Sequence, residues 1–485
     1  MTTQKAILIN HLEKIASFVG GGQDEKKKYI TRSATLKDDL IPSGNSNFVS
    51  FIRSDQPEKG QYSGLSIKVN PGIKHFRLSL DIGNEGFGDD YQLAATPGLR
   101  RKFVDLQTRI NNYISNNSGK DISCFCSLNF TDDSPKPELR KLEQQYTDDK
   151  IDSHSTDLFA VFVPRPALTD NISESDDFWK IYKAMIAIFA EVKLWASNKS
   201  HRKDIKIFKD GIPSISNSAD DDKRQVVDLL NQRHYVVLQG APGTGKTFLA
   251  SKLSEQYDNT IFTQFHAETS YSDFVGGYQP SDNNGNLTYK YIEGPLLTAI
   301  RTAISNTDNR VLLIIDEINR ANLSNVLGEA FYLFENTISN TRPTIELGQT
   351  TATEKSLKIE KLPTNLDVIA TMNTADRSIA VVDFALRRRF AWYSMHPHEI
   401  NLKNFKANEF ESINSIFEMY ATSEELSLQP GQSYFIANDE EEFKNRIKYE
   451  LLPLIREYLD NGYLSAATDQ FNQFFVDTIN EPIYL

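Results

Sequence analysis

The sequence predicts an α/β fold: a doubly wound parallel sheet with a phosphate-binding loop, preceded by an α+β domain and followed by a helical lid. Two observations support this prediction. From Lys223 onward, short and continuously apolar segments alternate with helical ones, which is typical of parallel strands that helices cover on both faces. A complete P-loop pattern, at 240–247, follows the first of these apolar segments.

The predicted elements also divide the chain into domains. Residues 1–198 mix segments of period-two alternation with amphipathic helices and form the α+β domain. The polar stretch 199–222 is interpreted as a linker, 223–395 as the α/β core and 396–485 as the helical lid. The core strands are expected at 235–238, 260–265, 311–315, 368–371 and 391–394.

Composition excludes several classes of protein. The 485 residues contain no apolar run long enough for a membrane helix, and the amino-terminal residues lack a signal-peptide pattern, so a cytoplasmic protein without membrane contact is expected. Residues 1–200 contain 26 basic and 26 acidic side chains, so the net charge of -12 lies entirely in the remainder. Because phosphate contacts need clustered cations, the acidic lid is not expected to coat DNA.

The P-loop predicts a nucleotide site. Its glycines let consecutive backbone N–H groups point at a β-phosphate, and the following helix adds the partial positive charge of its N-terminus. The lysine of the motif reaches the β- and γ-phosphate oxygens, and the last threonine offers a hydroxyl to Mg²⁺. The predicted nucleotide-binding residues are Gly240, Ala241, Pro242, Gly243, Thr244, Gly245, Lys246 and Thr247.

Two carboxylates follow a buried strand, at the position where α/β sheets hold ligands. Asp316 and Glu317 come directly after the apolar segment 311–315. We expect Asp316 to position Mg²⁺ and Glu317 to polarise the attacking water as a general base. The alternative is an acidic N-cap pair for the next helix, which a neighbouring P-loop makes the weaker reading.

A third motif, the heptapeptide 372–378, again follows a predicted strand. Together with the P-loop and the segment Asp-Glu-Ile-Asn-Arg at 316–320, it resembles the McrB family, the AAA+ GTPase motors of modification-dependent restriction systems. The resemblance covers about 223–459. It includes the arginine-rich run 385–390 and the segment Gly-Gln-Ser-Tyr-Phe at 431–435.

The resemblance implies roles for further residues. Asn373 would be the sensor between Glu317 and the γ-phosphate, and Asp376 with Arg377 would complete the network that orients the water. Arg388 and Arg389 would face the nucleotide of the neighbouring subunit, where they would match the charge of the transferring phosphoryl group. The alternative for these arginines is a basic helix C-terminus that the helix dipole favours.

The resemblance also implies an activity and partners: GTP hydrolysis with Mg²⁺, ATP being the alternative, in a homo-oligomeric and hexameric ring that moves along modified DNA and activates a separate McrC-like nuclease. This sequence departs from the family in having Gln432 where members often have histidine. The Asn-Lys-x-Asp motif that reads guanine in small GTPases is absent, so the preference for GTP comes from the resemblance alone.

By position, residues 1–198 would be the module that recognises modified DNA. Two groups of basic side chains are candidate phosphate contacts, one at 99–102 and one at 26–28 with Arg32. A solvated helix face is the simpler interpretation of both. Glu191 and Lys193 have the spacing of a nuclease motif but lie in a helical run, so no nuclease is expected in this chain. The alternative functions are a MoxR- or dynein-type ATPase that remodels proteins, and a nucleotide-gated defence switch.

Overall fold

The computed structural model describes residues 3–21, 29–33, 36–41, 48–57, 60–117, 119–127, 137–146, 157–195, 199–212, 219–283, 286–335, 343–349, 355–375 and 384–484. The chain divides into two compact units, Met1–Ser216 and Asn217–Leu485. Among the helices within the described ranges, none combines the length and apolarity that crossing a membrane requires.

The first unit is an α+β domain, as predicted, built on a six-stranded antiparallel sheet of order β1-β2-β3-β4-β6-β5. Its elements are α1 (Gln4–Phe18), β1 (Tyr29–Arg32), β2 (Val49–Arg53), β3 (Leu65–Asn70), β4 (His75–Ile82), α2 (Tyr91–Ala95), α3 (Pro97–Asn116), β5 (Ser123–Cys126), α4 (Pro137–Tyr146), β6 (Asp157–Pro164), α5 (Asp177–Val192) and α6 (Lys199–Asp210).

Helices pack against both faces of the sheet of the first unit, α3 and α5 on one face and α4 on the other. Phe178 of α5 meets Phe76 of β4 edge-on at 5.4 Å between ring centroids, and Phe103 of α3 lies 5.1 Å from Phe159 of β6. Alternate strand residues point to opposite faces, so Lys68 shares its face with Ala160 and Phe162, which pack against Leu139 of α4. Apolar burial therefore stabilises the sheet from both sides.

The predicted linker at 199–222 is largely helical where the structure describes it. Residues 199–210 form α6, which packs against α5, and Lys209 donates to Glu191 at 2.8 Å. Ile205 and Ile212 are buried, although the segment as a whole is polar. Ile205 lies on α6 and Ile212 just after its end, so the polar mean composition of the segment concealed two buried apolar positions.

The second unit contains a five-stranded parallel sheet of order β15-β7-β14-β11-β8. Its elements up to the last core strand are α7 (Ala219–Arg233), β7 (Tyr235–Gly240), α8 (Lys246–Ser254), β8 (Asn259–Gln264), α9 (Tyr271–Phe274), β9 (Gly276–Asn283), β10 (Asn286–Glu293), α10 (Pro295–Ser305), β11 (Val311–Asp316), α11 (Leu323–Leu327), β12 (Ile345–Leu347), β13 (Leu357–Ile359), β14 (Leu366–Asn373), α12 (Phe384–Arg389) and β15 (Ala391–Ser394).

Both faces of this parallel sheet are covered, as continuous apolarity predicts. Leu313 belongs to the apolar cluster on one face and Leu312 to the cluster on the other. The register pairs Ile315 of β11 with Ala370 of β14, and Asn373 of β14 with Gly240 of β7. The carboxyl ends of the three central strands therefore meet at one edge, where the P-loop begins.

The lid follows β15 and has an apolar core of its own, centred on buried phenylalanines such as Phe417, Phe435 and Phe471. Its helices are α13 (Ala407–Tyr420), α14 (Glu440–Arg446), α15 (Leu452–Asp460) and α16 (Thr468–Ile479), with a π-helical turn at Ile447–Leu451 that joins α14 to α15. A separate core allows the lid to hold its own shape beside the parallel sheet.

Candidate functional site

The P-loop connects β7 to α8 and takes a conformation that requires glycine at two positions. Gly243 has φ of 79° and Gly245 has φ of 88°, in the left-handed region that side chains disfavour. Thr244 is fully buried, and its hydroxyl donates to the carbonyl of Ala241 at 2.9 Å. The loop is therefore closed on itself at the N-terminus of a nine-residue helix, where backbone N–H groups and the helix dipole attract anions.

The ammonium group of Lys246 lies inside this loop. It donates to the carbonyls of Gly240 and Ala241, each at 2.9 Å, and to Oδ1 of Asn373 at 2.7 Å. Only 8% of the lysine is exposed. A buried cation with carbonyl and amide contacts can exchange them for charged phosphate oxygens, which bind it more strongly.

Thr247 and Asp316 are in direct contact across the sheet edge. Thr247 Oγ1 donates to Asp316 Oδ1 at 2.9 Å, and Thr371 Oγ1 donates to the same oxygen at 2.6 Å. Hydroxyl and carboxylate oxygens fit Mg²⁺, which protein sites hold through one or two carboxylates together with water and substrate phosphates.

Thr371 is a site residue that the sequence analysis missed. Besides donating to Asp316, its oxygen accepts the backbone N–H of Glu317 at 3.1 Å. A signal for it exists in the sequence, because Thr371 is a hydroxyl residue at the carboxyl end of an otherwise apolar strand. That Thr371 would lie beside Asp316 could be known only once the order of the strands in the sheet was known.

Glu317 has an unusual backbone conformation and two charge-assisted contacts. Its φ of 55° lies in the left-handed region, where non-glycine residues are uncommon and often functional. Oε1 accepts from Nδ2 of Asn373 at 3.1 Å, and Oε2 lies 3.5 Å from Nε of Arg320. The carboxylate is thus held at the end of β11 by the next strand and by its own turn.

Asn373 connects the lysine of the P-loop to the glutamate. Its amide oxygen accepts from Lys246 and its amide nitrogen donates to Glu317, so one side chain contacts both. The structure therefore brings together the predicted residues of β7, α8, β11 and β14. Asp376 and Arg377 lie outside the described residues.

The two arginines at the end of α12 have different surroundings. Arg388 and Arg389 both donate to Oε1 of Glu335 at 2.7 Å. The side chain of Arg389 is only 5% exposed and lies over the ring of Phe331 at 4.0 Å, whereas that of Arg388 is 67% exposed. Of the two, only Arg388 offers its guanidinium to a molecule outside this unit.

In the first unit, a basic side chain predicted to contact phosphate is paired with a carboxylate. Lys102 of the 99–102 cluster donates to Glu191 at 2.9 Å, and the 26–28 cluster lies outside the described residues. Glu191 also accepts from Lys209, while Lys193 pairs with Asp90 at 2.5 Å. Glu191, near the end of α5, and Lys193, just after it, therefore have separate partners.

Comparison with known proteins finds a family match within the second unit and two similar curated proteins. Residues 235–390 match the family described as AAA domain, dynein-related subfamily. The McrB subunit of the type IV methyl-directed restriction enzyme EcoK from Escherichia coli K12 is 32% identical over 267 residues, which are 49% of this chain and 57% of that protein. The YdiS component of the type II restriction enzyme BsuMI from Bacillus subtilis 168 is 30% identical over 189 residues, 32% of this chain and 55% of that protein.

A solved structure from Cytophaga hutchinsonii is 15% identical to this chain, covers 53% of this chain and 77% of its own, and has a TM-score of 0.25. The chain spans a little over half the length of the curated relatives it matches. The resemblance to the McrB family and the AAA+ core are confirmed.

Proposed function

We propose that this chain is a nucleoside triphosphatase of the McrB type that binds GTP in preference to ATP, with Mg²⁺, at the P-loop. The single observation that carries the proposal is the continuous set of contacts from Lys246 through Asn373 to Glu317, beside the Thr247–Asp316 pair. These contacts bring the phosphate-binding cation, the metal ligands and the general base within one hydrogen-bonded cluster.

In this proposal Lys246 exchanges its carbonyl contacts for β- and γ-phosphate oxygens. Thr247 and Asp316 would hold Mg²⁺, which would supply positive charge to the phosphates. Glu317 accepts the proton of the attacking water, and Asn373 orients both the water and the phosphate. Asp376 and Arg377 belong to the same network in the proposal.

The assembly we propose is a closed, head-to-tail homo-oligomeric ring of six subunits, in which Arg388 reaches the nucleotide of the neighbour. Its exposed guanidinium at the end of α12 supports this role, since an arginine supplied in trans makes hydrolysis depend on assembly. Arg389, which the sequence analysis grouped with it, is buried under Phe331 and supports the position of α12.

The biological role we propose is restriction of modified DNA. Both matching relatives are named as parts of restriction enzymes, which supports DNA and a separate McrC-like nuclease as partners. The first unit would recognise the modified base, and the ring would move along DNA and activate the nuclease.

A second candidate is an ATPase that remodels proteins, which the dynein-related description of the matching AAA family favours. A comparison of GTP and ATP turnover by the purified full chain, with and without methylated DNA, discriminates between them. We expect GTP to be the better substrate and Lys246→Ala to reduce turnover by about 100-fold or more. Lys252→Ala, on the same helix but away from the loop, serves as the control.

Brisk ATP turnover with no use of GTP would favour the remodelling ATPase, and turnover of neither nucleotide would contradict both candidates. In a parallel assay the chain alone, with GTP and Mg²⁺, should leave methylated and unmethylated DNA uncut. Cleavage by the pure chain would contradict the proposed division of labour with a nuclease partner.

A further inference from the structure

We infer that the lid segment Gly431–Gln432–Ser433, called here the lid clamp, orients the P-loop for phosphate binding, and that Gln432 is a positioning residue for the nucleotide. The clamp donates three hydrogen bonds to consecutive P-loop carbonyls. Gly431 N donates to Pro242 O at 2.8 Å, Ser433 N to Gly243 O at 3.1 Å, and Gln432 Nε2 to Thr244 O at 3.0 Å.

The planarity of the peptide bond turns these contacts into an orientation of the loop. In a trans peptide the carbonyl and the next N–H point in opposite directions. Because the clamp holds the carbonyls of residues 242–244 toward the lid, the N–H groups of Gly243, Thr244 and Gly245 point away from the lid. Consecutive N–H groups on one side of a loop form the anion-binding concavity that a phosphate occupies.

The other carbonyls of the loop are held from the opposite side. Besides Lys246, the backbone N–H of Thr374 donates to the carbonyl of Gly240 at 3.1 Å and the hydroxyl of Thr244 donates to that of Ala241 at 2.9 Å, so both keep a donor when the lysine turns to phosphate. All five carbonyls from 240 to 244 therefore accept hydrogen bonds from named donors. Buried backbone groups require partners, so this arrangement defines a single orientation for each peptide of the loop.

The approach of the lid clamp to the loop leaves no room for a side chain at two glycines. A Cβ on Gly431 would lie 2.0 Å from the carbonyl carbon of Gly243, and a Cβ on Gly243 would lie 2.4 Å from Ser433 Oγ. The backbones of the lid clamp and the P-loop thus lie in direct contact, and at this short distance three successive loop carbonyls are within reach of the clamp. Arg446 of α14 fixes the clamp from the lid side by donating to Ser433 O at 2.9 Å.

Gln432 is the only member of the clamp that acts through its side chain, and its chemistry is determined by its partner. A carbonyl oxygen can only accept, so the amide must present Nε2 rather than Oε1 to Thr244. The residue is 7% exposed, so a variant that lacks the donor would leave the Thr244 carbonyl without a replacement from solvent. A carboxylate in its place would set a negative charge beside a carbonyl and beside the phosphate site.

This inference rests on the proposed nucleotide site, and it makes phosphate affinity depend on the position of the lid. A test compares Gln432→Glu, Gln432→Ala and Gln432→His in the full chain, with GTP and ATP as probes in titration calorimetry. Gln429→Glu is the matched control, since Gln429 is an equally buried lid glutamine whose amide donates to Asn414 Oδ1 at 2.7 Å, away from the P-loop.

We expect Gln432→Glu to raise the nucleotide Kd by about tenfold or more and Gln432→Ala by about threefold, because a hydrogen bond to the loop is lost in both. Gln432→His restores an N–H donor and should stay within about twofold of the unmodified chain. In turnover assays the KM should rise in parallel while kcat at saturation changes by less than about threefold. Thermal unfolding midpoints within about 2 °C of the unmodified chain establish that the variants fold.

Unchanged affinity in Gln432→Glu, while the unmodified chain binds nucleotide, would overturn the clamp and leave the proposed function standing. An equal loss in Gln429→Glu would also overturn it, because the effect would then be a general one of charge in the lid. An unmodified chain that binds neither GTP nor ATP would overturn the proposed function and the clamp with it.

Discussion

Thr371 Oγ1 donates a hydrogen bond of 2.6 Å to Asp316 Oδ1, and the same hydroxyl accepts the backbone N–H of Glu317. One threonine on β14 thus positions both acidic residues at the end of β11. Its hydroxyl joins β14 to the end of β11, where the proposed metal ligand and the proposed general base lie.

Replacing this threonine by valine keeps its shape and removes both hydrogen bonds. We expect Thr371→Val to lower kcat about tenfold and to raise the Mg²⁺ concentration needed for half-maximal turnover, because Asp316 loses its orientation. The measurement is steady-state hydrolysis over a Mg²⁺ titration. Thr263→Val, on the edge strand β8 of the same sheet, is the control, and a Thr371→Val enzyme with normal Mg²⁺ dependence would contradict the assignment.

Replacing Glu317, the proposed general base, by glutamine keeps the shape of the side chain and so separates nucleotide binding from hydrolysis. Glu317→Gln retains an amide oxygen that can accept from Asn373 but cannot take a proton at neutral pH. We expect nucleotide affinity within about threefold of the unmodified chain and turnover reduced by at least about 100-fold. Single-turnover hydrolysis with radiolabelled nucleotide checks this, and normal turnover would show that another group activates the water.

The two arginines at the end of α12 should respond differently to substitution by alanine. Arg388 is exposed, and its ion pair with Glu335 contributes little to stability, so Arg388→Ala should abolish turnover in the assembled state with almost no change in thermal midpoint. Arg389→Ala should lower the free energy of unfolding by about 2 kcal/mol, because it removes a buried cation from Phe331 and from Glu335.

Turnover and calorimetry of the two variants check this contrast. Mixed assemblies add a sharper test, since Arg388→Ala mixed with Glu317→Gln should recover some sites in which an intact Glu317 faces an intact Arg388. Equal loss of stability in both variants would contradict the division of roles between the arginines.

Glu143 gives the first unit a dependence of stability on pH. Burial raises the pKa of this carboxyl from 4.5 to about 7, with the Arg77 guanidinium opposing the shift and Asp157 adding to it. Between these two values the folded unit binds more protons than the unfolded chain, so stability falls as pH rises from 4.5 to 7, and the loss is complete above that range.

We therefore expect the unfolding midpoint of the first unit to decrease from pH 5 to pH 8, and Glu143→Gln to flatten this slope. Tryptophan fluorescence follows the transition, since Trp179 and Trp195 lie in this unit. Glu138→Gln, at an exposed position of the same helix α4, is the control. A slope in Glu143→Gln equal to that of the unmodified chain would place the pH dependence elsewhere.

The local pattern of residues determined much of the α/β core and part of the site. The five core strands, the P-loop and the Asp316–Glu317 pair could be predicted because each is defined by neighbours within a few positions, whereas Asn373 was implied only by the family resemblance. Apolar periodicity and glycine spacing act through the backbone of one segment, so they need no knowledge of the fold.

Other features depended on the tertiary structure, because they arise between segments far apart in the chain. The order of strands β11 and β14 brings Thr371 to Asp316, and the docking of the lid brings Gln432 to Thr244, 188 positions away. The packing around Phe331 separates Arg389 from Arg388, which are adjacent and identical in sequence. A side chain acquires such a role from the groups that three-dimensional packing sets beside it, and the spacing of residues along the chain does not contain that information.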